Sequence, residues 1–442
     1  MKLLAHYRND SLRSIGGEQI WNDLTGYVDP ETNSEYIIAG SIDSIYFFDI
    51  TVPSSMKLVD VEAGKSFFAQ NRDYFTYKHY AYCVSDRASG IGGLQIFDLQ
   101  YLPDSVHKVY ESNALGTFTH TIFIDTIKAR MYMCSNTKTP QPFSAMDIIS
   151  LKNPEQPELA ATLKVPLKSD GTPLFTLVHE MYLRNDTAYL SCGYDGLFIF
   201  DLRDLAKQQF LSAITAYPDQ DFNHSSWLDN SGKYLMFTDE KMGMDVKIYD
   251  ISKIADPRFV SQFNSNTLAT PHNAYLSGNL AYISAYQDGV RVFDIKNPLN
   301  PVQVAWYDTH PDSPENYNGF KGCWGVYPFL PSKHIIASDI SNGIFVFEMD
   351  SSLVGVSKTF FSDPSVLIYP NPFTGKLKIE CSMFKNELLD FKLYNTNGQL
   401  LLHNSITEPI FEVDLSELNN GIYYIHFGAE RINQFKKIIK AN

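Results

Sequence analysis

Cysteine is scarce in this chain: five in 442 residues, an odd number, with no C-x-x-C pair among them. That argues against a disulfide framework and against the short-spaced cysteine motifs of structural zinc. Cys83, Cys134 and Cys192 each fall in the strand before a hairpin, Cys323 opens another repeat unit, and Cys381 lies near the C-terminus; all read as small buried hydrophobes. No run approaches the roughly 18 apolar residues of a membrane helix, so there is no candidate transmembrane segment. The opening MKLLAHYRND contains no signal-peptide core. Positive charge is also short: 36 Lys and Arg against 50 Asp and Glu leave a net −14, which argues against nucleic acid or an anionic membrane surface as partner. Neither H-E-x-x-H nor G-x-S-x-G occurs, so no short motif announces a protease zinc or a nucleophile elbow.

What the chain does have is apolar mass: 44% hydrophobic and 14% aromatic residues with only 19% charged, enough for ample cores. The length suits one large domain and a small one. From Pro364 onward there are 8 basic and 8 acidic residues, so the whole −14 belongs to the preceding part, and two domains are expected.

Ala281–Thr309 (AYISAYQDGVRVFDIKNPLNPVQVAWYDT) is the clearest unit. Its alternating runs read as three strands, with Asp288-Gly289 as a type I′ hairpin signal and Asn297-Pro298 and Asn300-Pro301 as breakers. Such a meander cannot bury both faces alone. It recurs, marked by an acidic residue after an apolar pair: Asp49, Asp98, Asp147, Asp201, Asp250, Asp294 and Glu348, at intervals of 49, 49, 54, 49, 44 and 54 residues. Seven copies at that period imply a seven-bladed β-propeller of four strands per blade. The innermost strands lie upstream, as in HEMYLRN, HSSWLDN and HNAYLSG, and Lys2–Arg8 resembles an outer strand and is expected to close the last blade. Past Val356 a linker, 357–363, leads to alternating strands broken by Pro370-Asn371-Pro372, Asn397-Gly398 and Asn420-Gly421, the pattern of a small Ig-like β-sandwich over 364–442. The expected fold class is all-β throughout, with the propeller over 1–356.

Both halves carry a resemblance. Residues 1–350 resemble the LVIVD-repeat propellers of the choice-of-anchor B family through YAYCVSDRASGIGGLQIFDL, NHSSWLDNSGKYLMFTDE, TPHNAYLSGNLAYISAYQDGVRVFDI and CWGVYPFLPSKHIIASDISNGIFVFE. Residues 364–442 look like the type A C-terminal sorting domain of the type IX secretion system of Bacteroidetes, through YPNPF, NTNGQ, GIYYIHF and the terminal KKIIK. The resemblance implies export, engagement of the secretion machinery through residues 364–442, and release or anchoring at the outer-membrane surface. Such proteins start with a signal peptide, so a truncated or mature start is expected here.

Aligning units at the innermost strand gives one column: His120, His179, His224 and His272 in blades three to six, Trp324 in blade seven, and Asn22-Asp23 and Arg72-Asp73 in blades one and two. Thr121, Glu180, Ser225 and Asn273 add polarity beside it. The starts of innermost strands lie at one channel mouth, so four imidazoles would converge there. Neutral imidazole is the commonest metal ligand, and a carboxylate can complete the shell. The competing reading is structural, with each histidine bridging adjacent blades. Candidate ligand-binding residues are Trp324, Trp227, Asn273, Glu180, Arg72 and Asp73; candidate transition-metal ligands are the four histidines. Asp219, Asp221 and Asn223 follow the D-x-D-x-N opening of a calcium loop, but His224 stands where Gly is needed and no Glu closes it, so a solvated acidic loop competes with calcium. Ser89–Gly93 reads as a long hairpin turn, and Asp308–Gly322 as the longest polar insertion, a place for binding or a spacer. The expected function is an exported surface or secreted binding protein for a protein, glycan or small ligand. The alternatives are a metal-dependent enzyme at the histidine cluster and a surface scaffold without a small-molecule site.

Overall fold

Aspartates that end strands explain why the repeat is so visible. Asp49, Asp98, Asp201, Asp250 and Asp294 each accept a hydrogen bond from the backbone N–H two residues on, at 2.8–2.9 Å, folding the chain into a turn before the outer strand. The structure, a computed structural model, describes all residues except 87–91, 140–142, 312–316, 318, 350–365, 382–388, 396–399, 407, 409, 430–431 and 442. The chain divides into Met1–Val354 and Gly355–Asn442. The expected linker at 357–363 lies outside the described residues.

The first unit holds seven four-stranded antiparallel sheets whose innermost strands meet around the ring, the contact between blades six and seven being that of Leu280–Ser284 with Cys323–Tyr327. The innermost strands are Trp21–Val28, Asn71–Tyr77, Thr121–Asp125, Glu180–Arg184, Asn223–Leu228, Ala274–Ser277 and Cys323–Tyr327. Seven hydrophobic clusters alternate with the blades, and each draws its residues from two neighbours. The ring is therefore a seven-bladed propeller. Its last blade is completed by Lys2–Tyr7, which pairs with Gly343–Glu348. Leu3 packs into the interface of blades six and seven, and Leu4, Ala5 and Tyr7 into that of blades seven and one.

A register shift against the outer strand recurs in all seven blades, two residues before the turn, at Phe47/Phe48, Ile96/Phe97, Ile148/Ile149, Ile199/Phe200, Ile248/Tyr249, Val292/Phe293 and the Phe347–Val346 pairing with Leu3 and Ala5. Such bulges add local twist. They also correct the repeat alignment in blade three. The equivalent of the marker aspartates is Ser150, not Asp147, which sits mid-strand and fully buried against Lys138 at 2.8 Å. The Asp288-Gly289 turn is also longer than the two residues expected. Ala285 N bonds Gly289 O at 2.9 Å, and the positive φ values fall at Tyr286 (42°) and Gly289 (75°). The Ser89–Gly93 turn falls largely outside the described residues.

The second unit packs a three-stranded sheet (Val366–Tyr369, Lys376–Cys381, Ile410–Asp414) against a four-stranded one (Leu400–Ile406, Leu389–Asn395, Gly421–Ala429, Ile432–Lys440). Leu377, Ile379 and Val413 from the first meet Phe391, Leu393, Ile425 and Phe427 from the second in one core. The YPNPF motif clamps the last strand: Asn371 donates to Lys437 O (3.0 Å) and accepts from Ile439 N (2.8 Å), while Phe373 N donates to Ile439 O (2.9 Å). Of NTNGQ, all but Asn395 lies outside the described residues.

Removing Met1–Arg8 should strip the outer strand from blade seven and expose the edge of Gly343–Glu348. The expected outcome is a lower melting temperature and concentration-dependent oligomers by size-exclusion chromatography; an equally stable monomer would show that the ring does not depend on this strand.

Candidate functional site

Side chains alternate across a strand, so positions two apart on each innermost strand face the channel. One layer holds Asp23, Asp73, Thr121, Glu180 and Asn273. Two residues further along come Thr25, Phe75, Phe123, Tyr182, Trp227, Tyr275 and Tyr327. The rings form a belt, with centroids 5.2 Å apart for Phe75–Phe123, 5.9 Å for Phe123–Tyr182, 4.4 Å for Tyr182–Trp227 and 5.0 Å for Trp227–Tyr275. Phe329, just past the innermost strand of blade seven, stacks on Trp227 at 5.2 Å. At this level the channel keeps a cavity of about 170 Å³.

Above the acidic layer the mouth opens into a cavity of about 530 Å³, lined by the four histidines with Glu180, Glu240, Asn273 and Trp324 among others. The histidines stand side by side: centroids are 4.0 Å apart for His120–His179, 4.3 Å for His179–His224 and 4.3 Å for His224–His272. His272 in turn meets Trp324 edge-on at 5.2 Å.

The bridging of blades falls mainly to the neighbours of these histidines. Asn71 donates to His120 O (2.6 Å), Thr121 to His179 O (2.7 Å), and Thr238 and Ser225 to His272 O (2.7 and 3.2 Å). Each bond runs from one blade to the histidine backbone of the next. Two rings also use Nδ1 for this: His120 Nδ1 lies 2.7 Å from Asp86 Oδ2 and His272 Nδ1 lies 2.6 Å from Trp324 O. A ring that donates from Nδ1 to an oxygen keeps its Nε2 lone pair for something else.

Three residues at the mouth were not singled out in the sequence. Glu240 follows the second strand of blade five, with Oε2 3.6 Å from His224 Nε2 and Oε1 3.7 Å from His272 Nε2. Tyr286 donates to Glu240 Oε1 at 2.5 Å, and Asp86 orients His120. Each lies at or just past the end of a second strand, so a second column drawn there would have found them. Among the described residues, one group of potential metal donors converges: His179, His224 and Glu240, whose ligand atoms all lie within 4.8 Å of one another.

Other expected site residues sit elsewhere. Arg72 is buried between blades one and two, donating to Ser41 O (2.9 Å), Ile42 O (3.1 Å) and Ser66 O; it holds backbone and does not reach the mouth. Asp73 lines the channel and accepts from Ile122 N at 2.5 Å, joining blades two and three. Trp227 belongs to the aromatic belt below the mouth. Glu180, Asn273 and Trp324 do line the mouth cavity. The D-x-D-x-N stretch already has partners within the chain, and the Asp219 carboxylate accepts from Gln262 Nε2 at 3.0 Å. Lys247 Nζ reaches Asp219 O at 3.0 Å and pairs with buried Asp239 at 2.8 Å, while Lys241 lies 3.9 Å from Asp221. Of the Asp308–Gly322 insertion, residues 312–316 and 318 lie outside the described residues.

Burial sets the charge of this region. It pushes the His224 ring well below its ordinary pKa, reinforced by the neighbouring histidines, and lowers His272 to about 3. Burial also raises the carboxyls: Asp23 to about 7, and Asp73 and Glu180 well above the usual range, with mutual repulsion adding to both. The His224 and His272 imidazoles are therefore neutral with lone pairs available, beside acids that are reluctant to ionise.

Residues 367–441 match the family of secretion-system C-terminal sorting domains. The chain thus carries an export signal of the type IX kind and is a secreted or cell-surface protein. Among solved structures it is similar to the computationally designed Ika8 protein, at 8% identity and a TM-score of 0.46 over 79% of this chain and all of that one. No curated protein matches. No helix among the described residues is long and apolar enough to cross a membrane.

Asp23 gives a pH prediction. Unfolded, it loses its proton near pH 4; folded, it holds it to about 7. Across that window the unfolded chain sheds more protons, so stability falls as pH rises. Asp23→Asn keeps an acceptor for Leu24 N and should be more stable than the parent at pH 8, by on the order of a few kcal/mol, and no more stable at pH 4. Urea denaturation at both pH values checks this; a pH-independent difference would refute it.

Proposed function

We propose that the chain is an exported propeller of the LVIVD-repeat, choice-of-anchor B kind, working as a surface or secreted binding protein whose ligand enters the channel mouth. The observation that carries this reading is the mouth itself. Four imidazoles, two glutamates and an indole surround about 530 Å³ of open space, where a purely structural ring would fill its channel with side chains. Polar groups convergent on a cavity above an aromatic floor suit a small ligand, or the protruding end of a glycan or protein. The sandwich serves export and attachment and takes no part in binding.

A metal-dependent enzyme is the second reading, favoured by the convergence of His179, His224 and Glu240. Propellers host both activities, so the fold does not choose between them.

Two measurements test the primary reading. Thermal-shift screening of the full chain against oligosaccharides, carboxylates, amines and short peptides should find one class that raises the melting temperature, with the rise abolished in Trp324→Ala and Asn273→Ala. A ligand whose effect survives both changes binds elsewhere and sinks the mouth as the site. For localisation, deleting 364–442 should leave a folded propeller trapped in the periplasm, and continued appearance of the truncated chain outside the cell would refute the sorting role.

A further inference from the structure

The geometry points to a divalent transition-metal site at the mouth, held by His179, His224 and Glu240, with His272 adjoining as a further ligand. It deepens, and rests on, the reading of the mouth as the binding site. A zinc-type ion sits about 2.0–2.1 Å from nitrogen and oxygen donors, which places tetrahedral ligand atoms roughly 3.4 Å apart. His224 Nε2 and His272 Nε2 already stand 3.6 and 3.7 Å from the two oxygens of Glu240, so little more than side-chain rotation separates this arrangement from a ligand shell. Imidazole with a single carboxylate suits Zn²⁺, Cu²⁺ or Fe²⁺ and is a poor match for Ca²⁺ or Mg²⁺, which prefer all-oxygen shells.

The surrounding groups behave as an orienting shell. His272 is fixed through Nδ1 by Trp324 O at 2.6 Å, which turns Nε2 toward Glu240. The Glu240 carboxylate is held by Tyr286 at 2.5 Å. Metal-binding histidines usually show this arrangement, with the far nitrogen bonded to a carbonyl or carboxylate.

Tyr286 is the second, independent observation. The corresponding turn in blade four has the same hydrogen bonds, Cys192 N to Gly196 O and Gly196 N to Gly193 O, where blade six has Ala285 N to Gly289 O and Gly289 N to Tyr286 O. Blade four puts glycine at the left-handed position (Gly193, φ 59°); blade six puts tyrosine there (φ 42°). A bulky residue at that φ costs on the order of 1–3 kcal/mol. Blade four shows that the turn closes without it. What the tyrosine adds is its hydroxyl on Glu240 and a ring packed on His272 (5.0 Å) and Phe320 (5.1 Å), both at the mouth.

The test uses the full chain, stripped with a chelator and titrated with Zn²⁺ and Cu²⁺, with Ca²⁺ as the oxygen-seeking control, by calorimetry and by melting temperature. Near-stoichiometric Zn²⁺ or Cu²⁺ binding with a raised melting temperature, and none for Ca²⁺, is expected. Glu240→Gln and His224→Gln should each weaken it at least 100-fold, and Tyr286→Phe, which leaves every ligand in place, about 10-fold. Circular dichroism of each stripped variant separates lost binding from lost fold, and His107→Gln, on an outer strand, should change nothing. Failure of the folded parent to bind either ion, or binding indifferent to Glu240→Gln and His224→Gln, overturns the site. If metal binding fails while a ligand is still lost in Trp324→Ala, the mouth remains the binding site and only the metal falls.

Discussion

A four-stranded meander has two apolar faces and no way to cover either by itself. Here each face is covered by the next blade, and every hydrophobic cluster of the ring belongs to two blades at once. At roughly 1.5–3 kcal/mol for each large apolar side chain fully buried, one such interface outweighs any polar contact in the molecule. The arrangement only works when closed, since an open ring would leave two uncovered faces and an unpaired edge. That is why the first strand of the chain lies beside its last propeller strand, with the same register shift found in the other six blades.

Closure separates two kinds of position. Residues facing a neighbouring blade are fixed by packing. Those facing the channel have no such partner, and alternation along the strand hands them over in layers. The layers are chemically sorted: imidazoles at the mouth, carboxyls and amides beneath, aromatic rings at depth. The backbone of the mouth is secured by Asn71, Thr121, Ser225 and Thr238, which bind the carbonyls of the histidines in the following blade. The rings are thus positioned by a rigid scaffold without being consumed by it.

The blades were legible because strand-ending aspartates and alternating runs are local signals. Where the local signal was mimicked it misled: Asp147 follows an apolar pair like the others, yet its burial against Lys138 and the bulge at Ile148/Ile149 move the turn to Ser150. The histidine column could be read because it repeats with the blades. Glu240 and Tyr286 could not be read from that column, because they come from different strand ends in different blades and meet only through the curvature of the ring. Arg72 shows the opposite case. It sits in the column by sequence, but its length lets it turn back onto Ser41 O and Ile42 O, away from the cavity.

The mouth is also where the molecule departs from its own economy. Elsewhere Lys247 and Asp239 match each other with both fully buried, and buried Arg72 is met by three backbone carbonyls. In the channel, burial raises the pKa of Asp23, Asp73 and Glu180, with carboxylate repulsion adding to the last two, and Tyr286 holds a backbone conformation that another blade assigns to glycine. An asparagine would serve Asp23's backbone contact, and a glycine would close the Tyr286 turn, though without the ring that packs on His272 and Phe320. Buried acids and a left-handed tyrosine beside open space fit the ligand site proposed at the mouth.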